Sequence, residues 1–204
     1  ESPATITISQ PPVEPPPPAN AGAWHIQDNA TGGDCSSIGT WNAPAKTCTL
    51  SKDLSQGIVI DGNNTILDGN GRLVTGSGTS TLGNGVYLNG TTGTTIKNLN
   101  IQKFSNGILL SESFNNTLAN NNASNNGFGI NITGGSGGNT LVGNTVSNSG
   151  VHGIVLDSSS NNTLRGNTAS NNVLLGILLQ SSSANTLTSN TTSGNFHGIV
   201  VGST

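Results

Sequence analysis

The sequence predicts an all-β fold, a right-handed parallel β-helix of about seven coils that follows a detached N-terminal strand and a Pro-rich linker. Two recurring sequence patterns and an unusual composition predict it. Charged residues make up 7% of the chain and aromatic residues 3%, and the sequence contains 29 glycines. Such a composition is typical of a disordered polar segment unless the aliphatic residues recur periodically, and here they do.

The first pattern is Gly-aliphatic-x-aliphatic, which predicts one strand in each coil. After a first interval of 28 residues, its copies are 22, 22, 24, 23 and 22 residues apart, a period typical of solenoids. Each glycine is expected to adopt a positive φ at a corner. The copies occupy residues 57–60, 85–88, 107–110, 129–132, 153–156, 176–179 and 198–201.

The second pattern places Thr before an aliphatic residue and lies between copies of the first. Within a coil, apolar and polar residues alternate, as strands with one buried face require. Leu141 and Ile154 of one coil are expected to stack on Leu164 and Ile177 of the next. No coil can bury its apolar side alone, so neighbouring coils stabilise each other. The copies occupy residues 64–66, 94–96, 116–118, 139–141, 162–164 and 185–187.

An asparagine recurs shortly after the second pattern. We interpret these residues as a structural ladder at a turn, in which each amide bonds the copies above and below and tolerates left-handed geometry. A row of ligand-binding side chains is the alternative. The ladder consists of Asn121, Asn144, Asn167 and Asn190.

The chain divides into residues 1–20, an N-terminal strand with a Pro-rich extension, residues 21–56, a disulfide-containing cap, and residues 57–204, the repeats. In the first segment polar and apolar residues alternate as in a strand, and the prolines that follow favour an extended spacer. The predicted strand contains Thr5, Ile6, Thr7 and Ile8.

Cys35 and Cys48 are the only two cysteines of the chain, and their surroundings lack the spacing of a zinc site. We predict that they form a disulfide, with two free thiols as the alternative. A disulfide indicates an oxidising compartment. A chain that begins at Glu1 without a charged, apolar leader fits a mature secreted protein, at the cell surface or outside the cell.

The two ends of the solenoid predict self-assembly. Ile199 and Val201 of the last coil would point inward with nothing after them to cover the coil, whereas solenoids normally carry polar caps. We predict that a second copy covers this end and that the N-terminal strand adds to that neighbour, which gives a head-to-tail filament. The alternatives are that the tail folds back on its own solenoid or that the chain is a fragment.

Few side chains suggest chemistry. His152 and His197 lie at equivalent positions two coils apart, roughly 9 to 10 Å, which is too far to share a metal ion. Asp61 and Asp68 flank a turn, where Asp-Gly is ordinary turn chemistry, although paired carboxylates can also hydrolyse glycosides. We therefore predict no enzymatic activity, no cofactor and no metal. A carbohydrate-binding or carbohydrate-cleaving β-helix, which would use these acids or Tyr87, is the main alternative.

The net charge and the glycosylation sequons limit which partners the chain can have. With six Lys and Arg and a net charge of -3, the chain lacks a basic stripe for nucleic acid, and no apolar run spans a membrane. If the source glycosylates secreted proteins, we expect glycans on exposed sequons. Asn63, Asn115 and Asn161 are expected to share one corner position. The candidates are Asn29, Asn63, Asn89, Asn115, Asn122, Asn131 and Asn161.

Three stretches carry a resemblance: Cys-Thr-Leu-Ser-Lys-Asp-Leu at 48–54, Asn-Thr-Ile-Leu-Asp-Gly-Asn-Gly at 64–71, and the repeated Asn-Thr-Leu-x-Gly-Asn-Thr and Gly-Ile-x-Leu. Residues 48–204 resemble the NosD-like parallel β-helix repeat family of the pectin-lyase-like superfamily. The resemblance implies the fold, and the family includes carbohydrate-active enzymes, accessory proteins of copper-site assembly and surface proteins. We predict a structural, self-assembling extracellular protein, with a carbohydrate-binding or carbohydrate-cleaving β-helix or a surface adhesin module as alternatives.

Overall fold

A computed structural model describes residues 22–77 and 83–202 of the chain. The strands in these ranges form three sheets that wind as a parallel β-solenoid of about seven turns, which confirms the predicted fold class. The predicted N-terminal strand, with Thr5, Ile6, Thr7 and Ile8, lies outside the described residues.

A small cap precedes the repeats. The hairpin strands β2 and β3 pair antiparallel, and the disulfide between Cys35 and Cys48 joins the helix to β3 with a Cα–Cα distance of 5.7 Å. The predicted disulfide is therefore present in the structure. The cap contains β1 (Trp24–Ile26), α1 (Cys35–Ile38), β2 (Gly39–Asn42) and β3 (Thr47–Leu50).

Each following coil contributes up to three strands. The first three coils comprise β4 (Ile58–Ile60), β5 (Ile66–Asp68), β6 (Leu73–Thr75), β7 (Asn84–Asn89), β8 (Thr95–Lys97), β9 (Asn100–Gln102), β10 (Asn106–Ser111), β11 (Thr117–Ala119) and β12 (Asn122–Ala123). The remaining coils comprise β13 (Phe128–Thr133), β14 (Thr140–Val142), β15 (Thr145–Ser147), β16 (His152–Asp157), β17 (Thr163–Arg165), β18 (Thr168–Ser170), β19 (Leu175–Gln180), β20 (Thr186–Thr188), β21 (Thr191–Ser193) and β22 (His197–Gly202).

Equivalent strands of successive coils stack into the three sheets. Sheet A has the order β1-β4-β7-β10-β13-β16-β19-β22, sheet B the order β2-β3-β5-β8-β11-β14-β17-β20, and sheet C the order β6-β9-β12-β15-β18-β21. Parallel, in-register pairing stacks equivalent residues of successive coils on one another, so Ile130 pairs with Ile154, which pairs with Ile177. All three side chains are fully buried, and burial of each stabilises the fold by about 1.5 to 3 kcal/mol.

The predicted asparagines do form a ladder between sheets B and C. The backbone N–H and the Nδ2 of Asn121 both donate to Oδ1 of Asn144, at 3.0 Å each, and the same pair of bonds links Asn144 to Asn167 and Asn167 to Asn190. A second ladder of the same kind contains Asn116, Asn139, Asn162 and Asn185, and the sequence reasoning did not anticipate it.

The left-handed corners lie one residue before the predicted ladder, not in it. The residues with positive φ are Asn120 (54°), Gly143 (63°), Gly166 (64°) and Ser189 (55°). The expectation that the ladder asparagines themselves adopt this geometry is wrong. A neighbour takes the corner conformation, and the asparagine then turns inward to hydrogen-bond.

The glycines at the start of the sheet A strands were also misinterpreted. They do not have positive φ; what they need is space. A Cβ on Gly129 would lie 2.0 Å from Cγ1 of Val146, and one on Gly85 would lie 2.2 Å from Cγ2 of Ile101. Glycine is therefore required because the strand start touches the third sheet.

The first coil is offset by one residue from the sequence alignment. Ile66 pairs with Thr95 and Leu67 with Ile96, so Leu67 is the inward residue. Asn115 (φ 54°) and Asn161 (φ 62°) share the left-handed corner with Asn64 (φ 56°). The expectation that Asn63 lies in register with those two asparagines is therefore wrong.

Candidate functional site

The broadest regular surface lies on the outside of sheet A. From β7 onward its strands are six residues long, whereas the strands of sheets B and C in the same coils have three residues or two. Side chains at the first, fourth and sixth strand positions line this outer face. Because the strands are in register, each position repeats coil after coil along the solenoid axis.

A cleft of about 250 Å³, which we call the outer groove, crosses the strands β13, β16 and β19 on this face. Its lining combines an aromatic ring, two aliphatic side chains, a histidine, a carboxylate, a hydroxyl and two amides. The lining residues are Phe128, Asn131, Thr133, His152, Val155, Asp157, Leu178 and Gln180.

An amide chain continues the outer groove toward the earlier coils. Nδ2 of Asn131 donates to Oδ1 of Asn106 at 3.1 Å, and Nδ2 of Asn106 donates to Oδ1 of Asn84 at 2.9 Å. These hydrogen bonds fix the orientation of the half-buried amides of Asn106 and Asn131, and they anchor both to the buried amide of Asn84. The face therefore presents an ordered polar surface and not a set of independent side chains.

The apolar part of the outer groove is central. Val155 is 5% exposed and pairs with Asn131 on one side and Leu178 on the other. The ring of Phe128 lies against the imidazole of His152, with centroids 5.8 Å apart and planes tilted by 53°. Aromatic and aliphatic side chains give a groove the apolar contact area on which most of a ligand's surface is buried.

Two titratable groups lie at opposite edges of the outer groove. Burial lowers the pKa of His152 below its ordinary value of 6.5, so its imidazole is neutral at pH 7. Its Nδ1 is buried and has no hydrogen-bond partner within the described part of the chain. Asp157 is five positions further along β16, roughly 16 Å away, which is beyond the separation of about 5 to 10 Å in carboxylate pairs that hydrolyse glycosides.

Tyr87, the tyrosine named from the sequence, lies on the same outer face two coils before the outer groove. It pairs with Leu109, which pairs with Asn131. Burial raises the pKa of Tyr87, and the carboxylate of Glu112 raises it further. Tyr87 is therefore a neutral phenol that extends the face beyond the groove.

Asp61 and Asp68 do not form a pair. Asp61 follows β4 of sheet A, where its Oδ2 contacts Nδ1 of His25 at 2.8 Å. Asp68 ends β5 of sheet B, where its Oδ2 lies 3.1 Å from Nζ of Lys97. Burial raises the pKa of Asp68, but hydrogen bonds from the Asn70 backbone, the Asn98 amide and Lys97, with the Lys97 charge, hold it below its ordinary value. An acid and base on one sugar would have to share a face, and these two carboxylates do not.

The histidines do not meet either. His152 and His197 both pair with Leu175, from opposite sides, so they lie two coils apart. Within residues 22–77 and 83–202, no three His, Cys, Asp or Glu side chains are grouped as metal ligands are.

The remaining sequence candidates lie at scattered surface positions. Asn131 is half-buried in the outer groove, and the other predicted glycosylation sites, Asn29, Asn63, Asn89, Asn115, Asn122 and Asn161, are exposed. Their modification stays a prediction. At the last described coil Ile199 is 47% and Val201 69% exposed, whereas their equivalents Ile177 and Leu179 are 0% and 6% exposed.

The outer groove was not predicted from the sequence, because both repeat patterns describe the buried residues of the coils and not the outward-facing ones. A signal was present: the residue before the strand glycine is Phe128, His152, Leu175 and His197 in successive coils, while the interior positions barely vary. Variation at one repeat position over a constant core indicates a surface that is free to specialise.

Comparison with known proteins identifies the family. Residues 35–204 match the family described as "Periplasmic copper-binding protein (NosD)". The chain belongs to the NosD family. Among curated protein sequences none matches it. The family's periplasmic description confirms the predicted location outside the cytoplasm, and no helix within the described ranges is long and apolar enough to cross a membrane.

Solved structures similar to this NosD-family chain share its fold. A double mutant of the periplasmic alginate epimerase AlgG superposes with a TM-score of 0.61 at 22% identity, over 71% of this chain and 35% of that one. The A-module of a mannuronan C-5 epimerase from Azotobacter vinelandii superposes with a TM-score of 0.50 at 16% identity, over 76% of this chain and 55% of that one. The chain thus spans about a third of the length of the first.

These neighbours correct one prediction. The expectation that the chain is not an enzyme is wrong, because the solved structures that share its fold are epimerases. The spacing of the histidines and the turn position of Asp61 and Asp68 were too narrow a criterion, since they test for a shared metal ion and for one glycosidase mechanism only. The comparisons show the fold and the family, and they do not show a filament.

The copper named in the family description does not fit the residues present. Copper sites in proteins use Cys, Met and His ligands. The chain contains no Met, and both cysteines form the disulfide. Its three histidines, His25, His152 and His197, lie on the first, sixth and eighth strands of sheet A. We derive no chemistry through copper for this chain.

Proposed function

We propose that this NosD-family chain is a carbohydrate-active β-helix that binds a polysaccharide along the outer face of sheet A, with the outer groove as the central contact. One observation carries the proposal: the outer groove places Phe128, Asn131, His152, Asp157 and Gln180 together on stacked, in-register strands. Ring and aliphatic surfaces with a few oriented polar groups are what a carbohydrate site requires.

The repeat geometry favours a polymer over a small molecule. Strands of sheet A stack about 4.8 Å apart, so the face offers equivalent side-chain positions at regular steps along the axis. The half-buried amides of Asn106 and Asn131 and the hydroxyl of Thr133 supply donors and acceptors on two successive coils. A chain of sugars laid along the axis meets such groups repeatedly.

If the chain modifies its ligand, His152 is the side chain best placed to move a proton. Its imidazole is neutral at pH 7 because burial lowers its pKa, and a neutral imidazole accepts protons. It borders the outer groove against Phe128, where a bound sugar would pass. To detect such a reaction, a bound polysaccharide is incubated with the wild type or with His152→Gln and is then examined by NMR. A changed polymer is expected with the wild type and not with the variant.

Binding is tested with a groove variant and a matched surface control. Phe128→Ala with Asn131→Ala removes one apolar and one polar contact, and Thr163→Ala removes an exposed side chain of sheet B. In affinity electrophoresis through a panel of polysaccharides, the double variant is expected to weaken binding at least about tenfold, the loss of roughly 1.4 kcal/mol, and the control is not. Equal binding by wild type and double variant, or no binding to any polysaccharide, would overturn the proposal.

Head-to-tail self-association is a second candidate, supported by the exposure of Ile199 and Val201. These side chains continue the stacked aliphatic rows, and a second copy placed on them would extend the same sheet pairing. Sedimentation of the full chain and of Ile199→Lys with Val201→Lys tests it. The wild type is expected to form larger species than the variant, and a monomeric wild type at high concentration would contradict this candidate. Deletion of residues 1–20 separately tests the predicted role of the N-terminal strand.

A further inference from the structure

The charged side chains are distributed unevenly around the solenoid. All six Lys and Arg of the chain lie among the described residues, and none belongs to a strand of sheet A. Lys97 and Arg165 end strands of sheet B, and the turn after β9 contains Lys103, three residues before sheet A resumes. The others are Lys46 and Lys52 near the cap and Arg72 beside β6.

Carboxylates, by contrast, lie along one edge of the outer face of sheet A. Asp61 directly follows β4, Glu112 directly follows β10, and Asp157 ends β16. They therefore belong to the first, third and fifth coils and stand at the carboxyl ends of the strands. Within the described ranges no lysine or arginine pairs with these three carboxylates, and Oδ2 of Asp61 contacts Nδ1 of His25 at 2.8 Å.

The field of these carboxylates reaches across the face. The charge of Glu112 contributes to the raised pKa of the Tyr87 phenol, which occupies the middle of the neighbouring strand. His152 does not compensate, because burial keeps its imidazole neutral at pH 7. A ligand laid along the outer groove thus meets one sign of charge only.

We infer that the polysaccharide bound on the outer face of sheet A is uncharged, and that polymers of uronic acids are rejected by the carboxylate row of Asp61, Glu112 and Asp157. The inference rests on the proposed carbohydrate binding. Each uronate would bring a carboxylate into a groove without a described cation, and like charges repel most strongly where protein displaces water. A neutral sugar instead donates hydroxyl hydrogen bonds to these same carboxylates.

The ligand class expected for this chain differs from the polymers for which its structural neighbours are named. Those solved structures are an alginate epimerase and a mannuronan epimerase, and alginate is a polyuronate. Shared fold at 22% and 16% identity leaves the outer side chains free to differ, and ligand class follows from those side chains.

A panel measured at two salt concentrations tests the inference on the full chain. Mannan, xylan and galactan represent neutral polymers, and alginate and polygalacturonate represent uronates, each in low salt and in about 0.5 M salt. We expect at least one neutral polymer to bind with little salt dependence, and the uronates to bind at least about tenfold more weakly in low salt, because screening is then smallest. Uronate binding equal to or tighter than neutral binding would overturn the inference and leave the proposed function standing. Binding to no polymer would instead overturn the proposed function.

A charge variant tests the cause. Ser111→Lys adds one positive charge at the carboxylate edge of sheet A, next to Glu112, and Thr163→Lys adds the same charge on the exposed side of sheet B. The ratio of uronate to neutral affinity in low salt is expected to rise several-fold for Ser111→Lys and to stay constant for Thr163→Lys. The same ratio in both variants would contradict an electrostatic origin.

Discussion

The outer faces of sheets A and B are made by the same coils yet differ in nearly every property. From β5 onward sheet B has three-residue strands, with an outer row of threonines that includes Thr117, Thr140 and Thr163 and the charged pair Asp68 and Lys97. From β7 onward sheet A has six-residue strands; it also has a groove with aromatic and amide side chains, and no lysine or arginine in its strands. The comparison teaches that the repeat fixes the interior and leaves the exterior of the longest sheet free to acquire a function.

Alanine substitutions in the shared interior should destabilise the fold equally beneath sheet A and beneath sheet B. Ile154 lies under sheet A and Leu164 under sheet B, and both are fully buried. Replacing either by alanine should lower the free energy of unfolding by about 2 to 5 kcal/mol, because neither site can collapse onto the cavity. Urea unfolding measures both values. A cost below about 1 kcal/mol at one site alone would show that the two sheets do not share one core.

The asparagine ladder should separate buried from exposed positions on the same coils. Asn144 accepts two hydrogen bonds from Asn121 and donates to the Leu118 carbonyl, so Asn144→Ala leaves buried groups unpaired at about 1 to 3 kcal/mol each. The neighbouring Thr145→Ala, at an exposed position of the same coil, is its control and is expected to change stability by at most about 0.5 kcal/mol. Thermal unfolding of both variants gives the comparison, and equal melting temperatures would contradict the ladder's structural role.

His152 should give the sheet A face its own response to pH. The folded pKa of His152 is lowered by burial, so below pH 6.5 the unfolded chain takes up a proton that the folded chain resists. Stability present above pH 6.5 is therefore lost as the pH falls toward the folded pKa. Unfolding free energies of wild type and His152→Gln between pH 7.5 and about 5 test this. The slope is expected to be smaller in the variant, and identical slopes would refute the assignment.

Asp68 should give sheet B a smaller response in a more acidic range. Its pKa is held below 3.8, so its contribution is complete above that value and is lost as the pH falls through the folded pKa. The pair with Lys97 is partly exposed, and Asp68→Asn is expected to cost at most about 1 kcal/mol at pH 7. The difference between variant and wild type should shrink as the pH falls below 3.8 and through the folded pKa. A difference that persists there would point to a packing effect instead.

Periodicity was sufficient to predict the solenoid, its inward residues and the positions of the Asn121 ladder, because stacked coils impose the same demand at the same step. Periodicity failed where a neighbouring residue, and not the one aligned by the repeat, takes the corner conformation or the inward position. Asn120 takes the left-handed corner assigned to Asn121, and Thr65 fills the place of Asn116 in the first coil. Both errors are shifts by one residue, which repeat spacing alone cannot detect.

The outer groove was harder to predict, because it depends on register between coils and not on the repeat itself. Phe128 and His152 are 24 residues apart in sequence, yet parallel stacking brings their rings together. Tyr87 was recognised only because it is the one tyrosine in the chain. The neutrality of His152 follows from burial at the groove edge, which composition and spacing do not reveal.

A crystal structure of the full chain with a bound neutral oligosaccharide would show directly whether the outer face of sheet A binds carbohydrate. We expect sugar density along the outer face of sheet A, with Asn131 and Asp157 within hydrogen-bond distance and Phe128 against a sugar ring. An oligosaccharide ordered on sheet B or sheet C, with the outer groove left to solvent, would contradict it.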